Sequence, residues 1–151
     1  LSVLGYAHSH GIIHGHVEPA HMIISPADHN VVLIDWSYSV VSPEKTGQRF
    51  KIYHPDYSAP EVIERKPPIP ASDLYSLGKC VILLLGGELE RNTLPDSVDA
   101  RLARFVLELV CENALQRPQD AWELHAKLKQ LREEIYGPHR FLPFDMSPAS
   151  I

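Results

Sequence analysis

The stretch "GIIHGHVEPAHMII" places three histidines, His14, His16 and His21, around Glu18 and Pro19. Imidazole exchanges protons near neutral pH and is the commonest side-chain ligand of transition metals, so this spacing raises either acid–base or metal chemistry. An apolar pair, a histidine, a short polar loop with one proline and a second apolar run is the layout of a tight loop that presents side chains to a cleft. A histidine directly after an apolar pair is read first as scaffold, so His14 is expected to pack and hydrogen-bond inside the loop. His16 and His21 are read as polar loop residues that meet solvent or a ligand.

The elements that must hold this loop are legible on either side of it. Leu1, Leu4 and Ala7 share one face, so residues 1–10 read as the end of a helix closed by Gly11, with a segment expected upstream. His8 and His10, near its end, are expected to meet its last carbonyls or water. "HMII" and "NVVLI" flank the turn sequence "SPADH" and predict a small antiparallel hairpin. Tyr38 to Ser58 is polar and aperiodic, which predicts a long loop, either functional or disordered. Ser72 or Asp73 is expected to cap a helix running to about Leu85, and the apolar run Val81 to Leu85 predicts a helix end buried on all sides. A further helix is predicted from about Asp99, with Leu102, Phe105, Val106, Leu109 and Val110 inward. The last is predicted from about Gln119 to Tyr136, striped by Ala121, Leu124, Leu128, Leu131 and Ile135 and ended by Gly137.

The fold class expected is mainly α with a small antiparallel β-hairpin, in one domain over 1–136 followed by a Pro-rich tail over 137–151. A chain of 151 residues with 44% hydrophobic residues and a net charge of −5 has globular composition, and its charges are mixed rather than gathered in a basic stripe. That disfavours nucleic acid as a partner. Cys80 and Cys111 sit among apolar residues, as buried thiols do, which suits a reducing cytoplasmic setting. The longest apolar run, "CVILLLGG", is far short of a bilayer span, and neither a membrane segment nor an export signal is expected.

"YAHSHGIIHGHVEPAHMII", "VVLIDWS", "YSAPEVI", "SDLYSLGKCVILLL" and "QRPQDAWEL" occur in the order, and at roughly the spacing, of five protein kinase segments. These are the catalytic loop, the metal-binding turn, the end of the activation segment, the central helix and the final helices. The chain from Leu1 to about Tyr136 thus resembles the C-terminal lobe of a protein kinase. Against the catalytic loop H-R-D-L-x-x-x-N it keeps His14 but has Gly15 for the Arg, His16 for the catalytic Asp, Glu18 for the usual Lys and His21 for the Asn. Asp35, Trp36 and Ser37 stand in place of D-F-G. No glycine-rich loop, phosphate-binding lysine or glutamate partner resembling a kinase upper lobe occurs in the chain, and "GGELERNTLPDSVDA" is short for the region around a kinase G helix.

The resemblance implies a retained scaffold beside altered chemistry, the pattern of a pseudokinase. Glu61 and Arg117 resemble the pair that ties the activation segment to the later helices, and Asp73 resembles the acid that holds the catalytic loop. The catalytic positions are degenerate, so the first expectation is an inactive binding or regulatory module of a larger protein, with no cofactor. The second is an enzyme, either a residual phosphotransferase completed by an upstream lobe or a metal-dependent activity. The family layout implies that His16, His21 and Asp35 converge, a set suited to Zn²⁺, Ni²⁺ or Fe²⁺ rather than Mg²⁺. Expected partners are a protein, an upstream domain of the same protein, or a second copy of this chain. A surface near Trp36 and the hairpin is expected to be covered by self-association or by the tail through Phe141, Leu142 and Phe144.

Overall fold

The computed structural model describes residues 1–138, 140 and 141. Helix α1 (Ser2–Ser9) ends at His10, and Gly11, at φ +69°, turns the chain into strand β1 (Ile12–Ile13). The loop that follows tightens into a 3₁₀ turn over Pro19–His21 and leads into β2 (Met22–Ile24), which pairs with β3 (Val31–Leu33). This is the hairpin the turn sequence predicted, in a register that sets Met22 opposite Leu33 and Ile24 opposite Val31. A second antiparallel ladder was not expected: β1 pairs with β4 (Val40–Val41), Ile12 opposite Val41 and Ile13 opposite Val40.

The segment Tyr38 to Ser58 therefore holds strand β4 near its start and a short helix, α2 (Pro43–Thr46), started by proline and ended by Gly47. After α3 (Pro60–Ile63) comes the central helix α4 (Pro70–Leu84), then α5 (Ala100–Leu109) and α6 (Ala121–Tyr136). The last two begin within two residues of the predicted starts. Asp99 accepts from the Arg101 N–H, and Asp120 accepts from the N–H groups of Trp122 and Glu123. Gly137, at φ +76°, closes α6.

Helix α4 corrects two expectations. It starts at Pro70, whose fixed φ suits the first helical position, so the N-cap is Ile69; Ser72 takes part from the third position, its hydroxyl accepting from the Ile69 N–H at 3.5 Å, and Asp73 does not cap it. Both are buried inside its first turns and directed at other elements. Its C-terminal end is not buried on all sides: Ile82 is enclosed, but Leu83 and Leu84 are 42% and 66% exposed. The enclosure of α4 falls earlier, where α5 crosses it at Gly78. A Cβ there would stand 2.8 Å from both Leu109 and Val110, so only glycine lets the two helices approach so closely. Leu4, Ile13, Val17, Leu74, Ile82, Phe105, Val106, Leu109 and Leu124 form the core around this crossing. Among the described residues, 86–99 hold only an isolated bridge between Glu88 and Thr93, with Lys79 reaching in to the Leu89 carbonyl and Asn92.

Candidate functional site around the histidine loop

The loop after β1 hangs from α4. Asp73, 1% exposed, accepts from the backbone N–H of His14 at 2.7 Å and of Gly15 at 2.8 Å. His8 of α1 adds a third bond through Nε2, at 2.9 Å. The carboxylate thus satisfies two N–H groups that would otherwise be buried without partners. His8 is the site residue that the sequence reading missed. It lies one turn beyond Leu4, on the face turned inward, and that spacing is the signal that could have found it.

His14 is fully enclosed, and its tautomer follows from its neighbours. Nε2 lies 3.0 Å from the Ile34 carbonyl and must donate to it, which leaves Nδ1 to accept from the His16 N–H at 3.1 Å. Burial outweighs the nearby Asp73 charge and lowers its pKa, so the ring stays neutral. With both nitrogens committed and Trp36 packed edge-on against it, His14 holds the loop to the turn after β3.

Glu61 and Arg117 meet in a buried, two-pronged ion pair, with Nη1 to Oε1 at 2.8 Å and Nη2 to Oε2 at 2.6 Å. Ser72 donates to the same Oε1 at 2.8 Å. Arg117 also donates to the carbonyls of Ala71, Cys111 and Glu112, so α3, α4 and the turn before α6 are fastened at one guanidinium. Burial by itself raises the Glu61 pKa, but the hydrogen bonds from Arg117, from its own backbone and from Ser72 prevail and hold it below its ordinary value.

His16, His21 and Asp35 lie on the open side of the loop. Their ligand-capable atoms all fall within 4.8 Å of one another. Asp35 takes a left-handed conformation, φ +58°, at the start of a 3₁₀ turn over Trp36–Tyr38, a backbone state uncommon for a residue with a side chain and concentrated at functional sites. Its Oδ1 accepts from Ser37, and its Oδ2 stands 3.1 Å from His16 Nδ1 and 3.4 Å from His21 Nε2. The Ser37 hydroxyl first, then the His16 bond and the His21 charge, hold its carboxyl below the ordinary range against the opposing effect of desolvation. Glu18 faces the same space, with Oε1 3.5 Å from His21 Nε2 and Oε2 3.4 Å from His16 Nε2.

Gly15 carries φ +77°, and the ring of Phe50 lies where its side chain would be: a Cβ at this position would stand 2.3 Å from Phe50 Cε1. The segment after α2 therefore closes down on the loop through an aromatic ring. Both cysteines are free; Cys80 is buried, which pushes its thiol up to about 12, whereas Cys111 is half-buried and donates to Gln116, not the core thiol expected. Phe141 stacks on His29 at the hairpin turn, with ring centroids 4.5 Å apart. Leu142 and Phe144, the other residues expected to dock, lie outside the described residues.

The family model for the protein kinase domain matches residues 1–133. The chain belongs to this family. Among similar proteins, the serine/threonine-protein kinase PAK mbt of Drosophila melanogaster is 36% identical over 89 residues, covering 58% of this chain and 14% of that protein. Serine/threonine-protein kinase B of Synechocystis is 30% identical over 152 residues, covering 82% of this chain and 26% of its own length. Maternal embryonic leucine zipper kinase of Danio rerio is 35% identical over 94 residues, 59% of this chain and 14% of its own. The chain thus spans about a quarter or less of the length of these relatives. Its architecture, mainly helical with small two-stranded antiparallel sheets, is that of the kinase C-terminal lobe. No helix of the described residues is long and apolar enough to cross a membrane.

Kinases hold Mg²⁺ through oxygen atoms of the metal-turn Asp and the catalytic-loop Asn. The residues here do not fit that ion. His21 stands at the Asn position and His16 beside it, and both offer imidazole nitrogen where the ion requires oxygen. Mg²⁺ demands hard oxygen ligands in near-octahedral array.

Proposed function

We propose that this chain is a catalytically inactive kinase-like lobe serving as a protein-interaction or regulatory module of a larger protein. The observation that carries the proposal is the replacement of both oxygen acceptors of the catalytic loop by imidazoles, His16 and His21, with the remaining carboxylate Asp35 hydrogen-bonded to its neighbours. Phosphoryl transfer needs a carboxylate at the first position to take the hydroxyl proton and an amide oxygen at the second to hold metal. The retained parts are those that keep the lobe rigid, namely Asp73 beneath the loop and the Glu61–Arg117 pair. The hairpin supplies a surface for contact: Ile23, Val31 and Val32 are 53%, 50% and 54% exposed, and apolar patches of this kind mark interaction sites.

The rival reading, a residual serine/threonine kinase completed by an upstream lobe, rests on Asp35 in its left-handed turn. Thermal unfolding of this chain with and without Mg-ATP separates the two, because a ligand that binds only the folded state raises the melting temperature by mass action. The inactive reading expects no shift. A reproducible rise that requires nucleotide and magnesium together defeats it.

A further inference from the structure

The ring of His21 has one workable arrangement of its proton. Nδ1 lies 2.8 Å from the His16 carbonyl, an acceptor without a hydrogen of its own, so Nδ1 carries the proton and donates. In the neutral ring Nε2 is then a bare lone pair, yet it faces acceptors: Asp35 Oδ2 at 3.4 Å and Glu18 Oε1 at 3.5 Å. The other Glu18 oxygen, Oε2, is buried and accepts no hydrogen bond among the described residues. A proton on Nε2 can serve one of these carboxylates at a time, whereas a divalent cation among them serves both.

The carboxylate spacings suit such a cation. Donor atoms held ~2.1 Å from one ion at tetrahedral angles stand about 3.4 Å apart. Asp35 Oδ2 lies 3.1 Å from His16 Nδ1 and 3.4 Å from His21 Nε2, and the ligand atoms of all three residues fall within 4.8 Å of one another. The bond from His21 Nδ1 to a backbone carbonyl is the kind that fixes the orientation and tautomer of a ligating imidazole. Asp35 is tethered in the same way by Ser37. His14 has both nitrogens committed elsewhere and takes no part.

We infer that His16, His21 and Asp35, with Glu18 alongside, bind a divalent transition metal ion of the zinc class, with Ni²⁺ and Fe²⁺ sharing the same ligand preference and Mg²⁺ rejected. Two imidazole nitrogens and a carboxylate leave an open position for water or an external ligand. The site needs no nucleotide, so it stands or falls apart from the inactive-kinase reading.

The test is a titration of this chain with ZnCl₂ by calorimetry, nucleotide-free, beside one with MgCl₂. His21→Gln removes one donor, and His54→Gln alters a histidine outside the cluster. One zinc equivalent is expected, unaffected by excess Mg²⁺, at least about tenfold weaker in His21→Gln and unchanged in His54→Gln. In the unmutated chain the imidazole nitrogen resonances of His16 and His21 are expected to shift with zinc while those of His14 stay in place. This measurement decides the matter even where a variant fails to fold. Absence of zinc binding, equal binding by the unmutated chain and His21→Gln, equal losses in both variants, or shifts confined to other histidines overturn the inference.

Discussion

Asp73 and Asp35 flank the same loop under opposite conditions. The first receives two backbone N–H groups and the His8 ring and is shut off from water. The second shares one oxygen between two imidazoles and leaves 30% of its side chain exposed. Glu61 and Glu18 repeat the contrast, one filled by Arg117 and Ser72, the other with a buried oxygen that accepts no hydrogen bond among the described residues. A carboxylate whose lone pairs are met by fixed donors is committed to holding the fold. One that faces other acceptors across a small gap is suited to something that comes and goes.

The largest test of this contrast is Arg117→Ala. Removing one partner of a buried, bidentate pair leaves an uncompensated charge, so denaturant unfolding is expected to show a loss of about 3 to 5 kcal/mol. Lys127 and Glu108, at 2.8 Å on the surface, supply the reference, where loss of the pair costs under about 1 kcal/mol. Equal effects at the two places would mean that burial of the Glu61 pair contributes nothing.

The next test is acid. The folded pKa of Glu61 lies below its ordinary value of 4.5, so its contribution to stability is complete above that pH and is lost as pH falls toward and through the folded value. The difference in unfolding free energy between the unmutated chain and Glu61→Gln is therefore expected to be constant above pH 4.5 and to shrink below it. A difference that grows on acidification contradicts a carboxylate stabilised by Arg117.

The smallest expected effect is on the other side of the loop. Metal-free His16→Ala is expected to change stability by under about 1 kcal/mol, since its contacts are with part-exposed ionic groups. A loss above about 2 kcal/mol would make the histidine cluster part of the scaffold and erase the contrast with Asp73.

Sequence patterning reached the parts of this molecule that are written locally. Helices α5 and α6 announce themselves by a stripe of apolar residues and, for α6, a closing glycine, and the β2–β3 hairpin by its turn. What escaped is written across long separations. The β1–β4 ladder is two residues deep and joins Ile12 to Val41, so no periodicity can develop in either strand. Ser72 does accept from the Ile69 N–H at the helix start, but its bridge to Glu61 is visible only once α3 lies against α4. His8 reads as a helix-end histidine until Asp73, 65 positions away, is brought beside it. The histidine loop itself was legible as a group because the kinase-like order of segments supplies the three-dimensional placement that spacing alone lacks. The part played by Glu18 there depends on the direction of one carboxylate and was not legible.

The Phe50 ring over Gly15 makes the two positions interdependent in any substitution. An arginine at this position needs both a backbone that has left φ +77° and the volume that the ring now fills. A side chain at Gly15 alone is therefore strained, because its first carbon meets the aromatic ring. Room for one requires a smaller residue at Phe50, which is itself 8% exposed, so that change removes buried aromatic packing. The two positions are coupled: the ring in this place requires glycine, and a larger residue in place of the glycine requires the ring to move.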